Sequence, residues 1–303
     1  MGLVADVQAG QKPDAESEGR LQRFSTAVIR LSEAVAYWLG YGVDRVLSLG
    51  DLVDGRNDEE SSHDDLQLVL AQFARLACPV HHVVGNHCMK FVPRQRLLAI
   101  LKLKSSYYSV DLASGWRLIV LDTTELSTHA GWPVGSPQEA EANAYLNAHR
   151  NQIRMKRWNG GTGEVQTNWF RSELARAEAE GVRVIVASHH ALAPGSCRET
   201  HRAWNGDELA AACAASPAFV VALAGHDHPG GFVVHRGRPF VTVEALLEAK
   251  GDGNAFAVMR VYEDRVVIDG VGTGVTSRLI SIPVQGEPLY CATFSSTRRG
   301  SRS

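Results

Sequence analysis

Side chains able to coordinate a metal ion recur at five places along this chain. In chain order they are Asp6 with Gln8, Asp51, Asn86 with His87, His189 with His190, and His226 with His228. Each place alone has an ordinary structural explanation: Asp51 could cap a helix, Asn86 could form a turn, and His189 could be a hydrogen-bonded core histidine. Two imidazoles two residues apart after an apolar run are harder to dismiss, because each offers a nitrogen to a cation. Five such places in one chain therefore indicate a shared site.

Each of these groups follows a short apolar stretch that the residue pattern predicts to be a β-strand. The predicted strands cover residues 2–7, 45–49, 80–84, 182–187 and 218–224, and helices are predicted over residues 21–39, 61–77 and 166–180. In an open α/β sheet, ligands bind beyond the carboxyl ends of the strands. Groups far apart in the sequence can therefore meet at one sheet edge.

Composition excludes several classes of protein. The 303 residues include 31 Lys and Arg and 33 Asp and Glu, so the net charge is 31 − 33 = −2, and 45% of residues are hydrophobic. These values are typical of a globular chain and not of a disordered one. A charge near zero gives no electrostatic reason to expect nucleic acid or an anionic membrane as a partner, and no protein partner is predicted.

The cysteines and the apolar stretches bear on the cellular compartment. The five cysteines form no CxxC pair and are odd in number, so a disulfide framework is not expected. No stretch approaches the roughly 20 apolar residues of a membrane span, and no basic segment precedes an apolar leader. A cytoplasmic location is predicted.

The polar motifs, taken in order, resemble the signature of the calcineurin-like metallophosphoesterases. They are Gly50-Asp51, Gly85-Asn86-His87, Ser188-His189 and Gly225-His226-Asp227-His228. The first motif of that family usually reads Asp-x-His, but here it reads Asp6-Val7-Gln8, as in the branch of manganese-dependent ADP-ribose/CDP-alcohol diphosphatases. Further segments similar to that branch are residues 49–55, 80–82, 158–161, 203–205 and 225–231.

This resemblance implies an α/β fold: a four-layer αββα sandwich with two mixed β-sheets flanked by helices. We expect a single domain over residues 1–290 and a polar, flexible C-terminal tail over residues 291–303. Residues 124–157 are expected to hold a helix near 139–150, and the segment is either an inserted cap near the site or a surface loop.

The resemblance also implies two divalent cations, with Mn²⁺ favoured because the ligands are carboxylates, amides and imidazoles without a thiolate. One cation would be held by Asp6, Gln8, Asp51 and His228, and the other by Asp51, Asn86, His189 and His226. Asp51 would bridge them, and a hydroxide between the two ions would attack phosphorus. His87 is not a ligand in that family; when protonated, it would hydrogen-bond a phosphate oxygen or donate a proton to the leaving oxygen. His190 receives no role and is expected to be either behind the ligands or exposed.

Two segments are candidates for substrate contacts. Asn159, Gly160 and Gly161 could present backbone N–H groups to a phosphate at the start of the following helix, or could be an ordinary glycine-rich helix start. Trp204 could stack on a base and Asn205 could hydrogen-bond it, or the two could anchor and cap the next helix.

The leading functional hypothesis is a hydrolase that splits nucleoside diphosphate-X compounds (ADP-ribose, CDP-choline or CDP-glycerol) into a nucleoside monophosphate and a phosphorylated partner. The alternative is a phosphomonoesterase or cyclic-nucleotide phosphodiesterase, since the metal motifs do not separate these substrates. A non-catalytic scaffold would be expected to have lost ligands, and here the full set is present.

Overall fold

Two β-sheets stacked face to face organise the structure, a computed structural model that describes residues 1–112, 115–251, 253–272, 274–282 and 289–294. The strands are β1 (Gly2–Val4), β2 (Ala15–Ser17), β3 (Arg20–Gln22), β4 (Val46–Ser48), β5 (Val80–His82), β6 (Tyr108–Leu112), β7 (Trp116–Val120), β8 (Leu126–Ser127), β9 (Gly160–Gly161), β10 (Arg183–Ala187), β11 (Phe219–Ala224), β12 (Gly231–His235), β13 (Arg238–Thr242), β14 (Ala255–Val261), β15 (Arg265–Gly272), β16 (Ser277–Ser281) and β17 (Cys291–Phe294). The helices are α1 (Ala27–Tyr41), α2 (Glu59–Phe73), α3 (Arg94–Ile100), α4 (Pro137–Ala148), α5 (Glu164–Ala179) and α6 (Gly206–Ala215).

Both large sheets are mixed. The seven-stranded sheet has the order β17-β16-β15-β14-β1-β4-β5, in which β1, β4 and β5 run parallel. The six-stranded sheet has the order β12-β13-β11-β10-β7-β6, with β7, β10, β11 and β13 parallel. Each sheet therefore has parallel strands whose carboxyl ends open on one edge.

The apolar residues of the strands fill three layers of core. Leu3, Leu47, Leu118 and Ile185 point between the two sheets and are fully buried. The alternate residues, such as Val4, pack outward against helices, because successive side chains of a strand face opposite sides. Helices α1, α2 and α3 cover the seven-stranded sheet, and α5 and α6 cover the other. The predicted four-layer αββα sandwich is confirmed.

Several element boundaries differ from the sequence prediction. The helix expected over residues 21–39 begins only at Ala27, because Arg20–Gln22 pairs with β2 instead. The helix expected over residues 61–77 begins at Glu59, where the Asp58 side chain caps it by accepting a hydrogen bond from the Ser61 N–H at 2.8 Å. Local competition from strand pairing and capping moved both starts.

The boundary of the predicted C-terminal tail is also corrected. Cys291–Phe294 pairs antiparallel with β16 and forms the edge strand of the large sheet. The backbone groups that β16 offers at that edge explain why the chain is held there. The rest of the predicted tail, residues 295–303, lies outside the described residues.

The segment of residues 124–157 is packed. Its helix α4 is capped by the Ser136 side chain, and its residues Leu126, Ala142 and Met155 form a small apolar cluster around Trp204. Strand β8 within the segment pairs with β9. The segment is thus fastened to the body of the protein on two sides.

All five cysteines are free thiols. Within the described ranges, we find no helix that combines the length and the apolar character needed to cross a bilayer.

Candidate metal centre

The carboxyl ends of strands from both sheets meet in one place. Asp6 follows β1 and Asp51 follows β4, while His189 and His226 follow β10 and β11 of the other sheet. Two hydrogen bonds join the sheets there: the His226 N–H donates to Asp6 Oδ2 at 2.9 Å, and His189 Nδ1 donates to the backbone oxygen of Leu49 at 2.8 Å. Residues separated by more than 200 positions therefore share one buried site.

The structure brings all seven predicted metal ligands together around Asp51. His189 Nε2 lies 3.2 Å from Asp51 Oδ2 and 3.0 Å from Asn86 Oδ1. Gln8 Nε2 lies 3.3 Å from the same Asp51 oxygen and 3.1 Å from His228 Nε2. His228 Nε2 lies 3.8 Å from Asp6 Oδ1, and the His226 ring centroid is 5.0 Å from that of His189.

The backbone at these positions is unusual. Asp6, Gln8, Asp51 and His226 have φ values of 49°, 43°, 48° and 68°, in the left-handed region that residues other than glycine rarely adopt. Such conformations cost free energy and persist at functional sites, where the surrounding structure holds them. Four of the seven predicted ligands are thus positioned by strained turns at the strand ends.

Two motif glycines are explained by close approach to these ligands. A Cβ atom on Gly225 would lie 2.6 Å from Asp6 Oδ2, and one on Gly85 would collide with the Asp51 carboxylate. Glycine is required at both places because no side chain fits between backbone and carboxylate.

The carboxylates and imidazoles of the cluster have a charge distribution suited to binding a cation. Asp6 Oδ1 is buried and has no hydrogen-bond partner in the described part of the chain. Burial raises the pKa of Asp6 to about 6, although His189 and His228 act in the opposite direction. Burial would also raise the pKa of Asp51, but His189 and His87 outweigh it and hold that pKa below its usual range. Burial lowers the pKa of His189, but Asp51 and Asp6 raise it to about 9.

The cluster pairs a buried carboxylate oxygen without a partner with a nearby imidazole whose pKa is raised. A cation can take the place of the imidazole proton and can bind the carboxylate oxygen as well. Metal binding displaces protons from the ligands, because only the deprotonated forms coordinate. The donors are carboxylates, amides and imidazoles, so the residues present fit two divalent ions of the harder type. Gln8 would coordinate through Oε1, which requires its amide to be turned from the orientation described above.

Three of the histidines are held by hydrogen bonds that select the nitrogen left for the metal. His189 Nδ1 is bound to Leu49, and His228 Nδ1 lies 2.7 Å from Glu248 Oε1, so each turns Nε2 toward the other predicted ligands. His226 uses Nε2 to bind Asn159 Oδ1 at 2.8 Å and keeps Nδ1. Such contacts fix both the tautomer and the ring orientation of a ligand.

His87 stands beside the ligands with its own carboxylate partner. Its backbone N–H donates to Asp51 Oδ1 at 2.8 Å, and its Nδ1 lies 2.8 Å from Asp54 Oδ1. Burial lowers the pKa of His87, but the Asp51 and Asp54 carboxylates outweigh it, so the net shift is upward. The two carboxylates therefore favour the protonated form of the imidazole at the cavity wall. The pairing of Asp54 with His87 emerges only from the fold.

His190 is fully buried and belongs to the wall of the site. Its Nδ1 lies 2.9 Å from Thr123 Oγ1 and its Nε2 lies 3.2 Å from the backbone oxygen of Trp158. Burial, and then the neighbouring His189, lower the pKa of His190 to about 3. Of the two sequence expectations, a position behind the ligands is the one observed.

The predicted phosphate site at Gly160 and Gly161 is not supported. Both glycines are buried in β9, which pairs with β8, and a Cβ on Gly160 would lie 2.7 Å from Ser127 Cβ. At the start of α5, the Glu125 carboxylate already accepts the Gly163 N–H at 2.9 Å. The glycines are needed for packing, and a carboxylate of the chain itself occupies the helix N-terminus.

The predicted base contacts of Trp204 and Asn205 are also corrected. Trp204 is fully buried, donates from Nε1 to the Lys156 oxygen at 3.1 Å, and stacks on Tyr145 with ring centroids 6.0 Å apart. The Asn205 side chain binds Thr162, accepting from its N–H at 3.1 Å and donating to its oxygen at 3.0 Å. It makes no side-chain cap on α6. Both residues therefore fasten segments together.

A cavity of about 250 Å³ opens beside the cluster. Gln8, His87, His226 and His228 line it together with Trp158, which is 41% exposed. Four lining residues that sequence reasoning missed are Glu18, Arg20, Arg198 and Glu248. They carry no motif of their own. The β2–β3 hairpin, the loop after β10 and the short turn after β13 bring them here.

The family model for calcineurin-like phosphoesterases matches residues 2–230, which include all seven predicted ligands. The chain belongs to the calcineurin-like phosphoesterase family. A relative from Oryza sativa subsp. japonica, named manganese-dependent ADP-ribose/CDP-alcohol diphosphatase, is 33% identical over 89% of this chain and 90% of its own length. A relative of the same name from Arabidopsis thaliana is 31% identical over 89% and 93%.

Among solved structures, this member of the calcineurin-like phosphoesterase family is similar to a dimetal phosphatase from Danio rerio. The two share 27% identity and superpose with a TM-score of 0.84 over 93% of this chain and 97% of the other. Together with the named relatives, this likeness confirms the predicted family, its fold and the resemblance to the diphosphatase branch.

Proposed function

We propose that this protein hydrolyses the diphosphate linkage of nucleoside diphosphate-X compounds such as ADP-ribose, CDP-choline and CDP-glycerol. The products are a nucleoside monophosphate and a phosphorylated partner. The observation that carries the proposal is the position of Gln8, which contacts both Asp51 and His228 where the family usually has a histidine. The names of the Oryza sativa and Arabidopsis thaliana relatives support the same substrate class.

Two Mn²⁺ ions are the cofactors proposed for this chain. One would be held by Asp6, Gln8, Asp51 and His228, and the other by Asp51, Asn86, His189 and His226. When bound, divalent cations supply Lewis acidity, which neutralises charge on phosphoryl oxygens and makes water a stronger nucleophile. The Gln8 amide adds an oxygen donor where an imidazole would add nitrogen, which favours Mn²⁺.

The protein residues around this centre have separate tasks. Asp51 presents Oδ2 to His189 and Gln8 while its Oδ1 holds the backbone of His87, which suits a carboxylate shared by both ions. His87, protonated and oriented by Asp54, donates a proton to the leaving phosphate oxygen. A cytoplasmic location is proposed as well, and the five free thiols support it.

The test is a substrate panel with the Mn²⁺-loaded protein. ADP-ribose, CDP-choline, CDP-glycerol, cyclic AMP and p-nitrophenyl phosphate are compared by kcat/KM, and products are identified by chromatography. We expect AMP with ribose 5-phosphate from ADP-ribose, and CMP from the CDP-alcohols. Activity confined to p-nitrophenyl phosphate or to cyclic AMP would contradict the diphosphatase proposal, and no turnover of any of these compounds would contradict a hydrolase.

A further inference from the structure

Two arginines line the cavity beside the metal centre, and each is anchored by a buried carboxylate. Arg20 Nε is hydrogen-bonded to Glu248, whose side chain is 4% exposed. Arg198 Nε donates to Asp227 Oδ1 at 2.7 Å, and the Asp227 side chain is 1% exposed. The two guanidinium groups are thus held in place from within the protein.

The anchoring carboxylates are tied directly to the predicted ligands. Glu248 Oε1 lies 2.7 Å from Nδ1 of His228. Asp227 stands between His226 and His228 in the chain, and its Oδ2 accepts the backbone N–H of Arg198 at 2.7 Å. The arginines therefore keep a fixed position relative to the metal centre.

One further nitrogen of each guanidinium group is hydrogen-bonded to the same oxygen of Glu18. Arg20 Nη2 donates to Glu18 Oε2 at 2.9 Å, and Arg198 Nη1 is hydrogen-bonded to the same atom. Glu18 lies at the tip of the β2–β3 hairpin with a φ of 51°, and its side chain is 53% exposed. An anionic oxygen between two guanidinium groups is the contact that arginines make with phosphate.

We propose that Arg20 and Arg198 form the binding site for the second phosphate of a nucleoside diphosphate, the one that is not attacked, and that Glu18 occupies this site in the free enzyme. This inference rests on the proposed function and adds to it the groups that select a diphosphate. With one phosphate at the metal centre, the neighbouring phosphate of the substrate displaces the Glu18 carboxylate. A phosphomonoester has no second phosphate and leaves Glu18 in place.

The displacement is physically reasonable because the anchors and the occupant differ in burial. Ion pairs between exposed side chains are weak, whereas pairs with buried, hydrogen-bonded carboxylates are costly to break. A phosphate brings additional anionic oxygens to the two guanidinium groups. The substrate therefore exchanges with Glu18 and not with Glu248 or Asp227.

The test compares Glu18→Ala and Glu18→Gln with Glu16→Ala, which removes the same charge from an exposed position of the same hairpin. Steady-state kinetics are measured with ADP-ribose and with p-nitrophenyl phosphate. Both Glu18 variants should lower KM for ADP-ribose about two- to fivefold, the range expected for loss of a weak surface ion pair. We expect kcat to stay constant, KM for p-nitrophenyl phosphate to stay constant, and Glu16→Ala to match the wild type.

Arg198→Gln tests the phosphate site itself. It should raise KM for ADP-ribose by a larger factor than KM for p-nitrophenyl phosphate. An equal increase in both KM values would mean that Arg198 only supports Asp227, and it would overturn the inference. An unchanged or raised KM for ADP-ribose in the Glu18 variants would also overturn it, while leaving the proposed function intact. A wild-type enzyme without diphosphatase activity would overturn both.

Discussion

The side-chain oxygen of Asn159 accepts a hydrogen bond from Nε2 of His226 at 2.8 Å. Nδ2 of Asn159 donates to the backbone oxygens of Arg154 at 2.8 Å and Thr200 at 2.9 Å, so both amide hydrogens are used. The oxygen must therefore face His226, which in turn must carry its proton on Nε2 and keep Nδ1 for a cation. Asn159, which the sequence offered as a substrate contact, is thus a positioning residue for a predicted metal ligand.

Asn159→Ala should weaken one of the two metal sites. Loss of a hydrogen bond that orients a ligand lowers metal affinity by roughly 10–100-fold. Titration of the metal-free protein with Mn²⁺, followed by calorimetry and electron paramagnetic resonance, should show one weakened and one unaffected site. Asn143→Ala, at an exposed position of α4, is the matched control. Equal affinity at both sites in the Asn159 variant would mean that the contact does not support His226.

Asp51→Asn should remove activity while the protein remains folded. Asparagine has nearly the shape of aspartate but lacks the negative charge that two cations would share. Loss of a hydrogen bond that orients a ligand costs up to roughly 100-fold, so loss of this shared charge should lower kcat/KM by more than that. Turnover and bound metal are measured together with the circular dichroism spectrum. Asp64→Asn, at an exposed position of α2, should behave as the wild type. Normal turnover in Asp51→Asn would end the dimetal interpretation.

Gln8→His should change the metal preference. Replacing an amide oxygen by an imidazole nitrogen favours softer ions, so activity with Co²⁺ or Zn²⁺ should rise relative to activity with Mn²⁺. The measurement is the ratio of kcat/KM with each metal, and Gln67→His on the exposed face of α2 is the control. An identical metal profile would show that Gln8 is not a ligand.

His82→Phe should reduce the acid sensitivity of folding. Burial, and then the nearby His81, lower the pKa of His82 to about 4, from 6.5 in the unfolded chain. The unfolded chain therefore binds a proton that the folded protein refuses, and stability falls as the pH decreases from 6.5 towards 4. Phenylalanine keeps the edge-on ring contact with Phe73 and has no proton to bind.

The measurement for His82 is the free energy of unfolding of the metal-free protein at pH 7 and pH 5. The wild type should lose about 2 kcal/mol more than His82→Phe over this interval. His63→Phe, on the outer side of α2, should follow the wild type. Equal losses in His82→Phe and the wild type would show that His82 is protonated in the folded state.

Trp158→Ala should weaken binding of nucleotides. The Trp158 ring lines the cavity, is partly exposed, and is held by a hydrogen bond from Nε1 to the Thr200 oxygen at 3.2 Å. Base stacking on an aromatic side chain contributes about 1–3 kcal/mol, so KM for ADP-ribose should rise about tenfold. A rise of the same size with p-nitrophenyl phosphate would show that Trp158 supports the site without stacking on a base.

The clustering of the candidate ligands could be predicted because local rules place them. Mainly apolar runs of five or six residues shortly precede Asp51, Asn86 and His189, and parallel strands bring their carboxyl ends to one edge. The glycines of the motifs carry the same information, since only glycine allows the backbone to approach the carboxylates closely. The run of residues 219–224 is apolar at every position, which indicates a strand buried on both faces, as observed.

The substrate residues could not be predicted, because local patterns were ambiguous there. Trp204 and Gly160 have the composition of a binding segment, yet packing against α4 and β8 buries them. Arg20 begins a strand whose other two residues fell within the predicted helix, and the hairpin that brings Arg20 to the cavity was not predicted. Each of these outcomes depends on which distant segment covers the residue.

The sequence by itself determined the family, the order of the strands' polar ends and the candidate metal-binding groups, because these depend on residue type and short spacing. The tertiary structure decided which oxygen holds each histidine, as with Asn159 and Glu248, and which side chains line the cavity. Those contacts join segments up to hundreds of residues apart. They come into existence only when the two sheets pack face to face, and no local propensity encodes them.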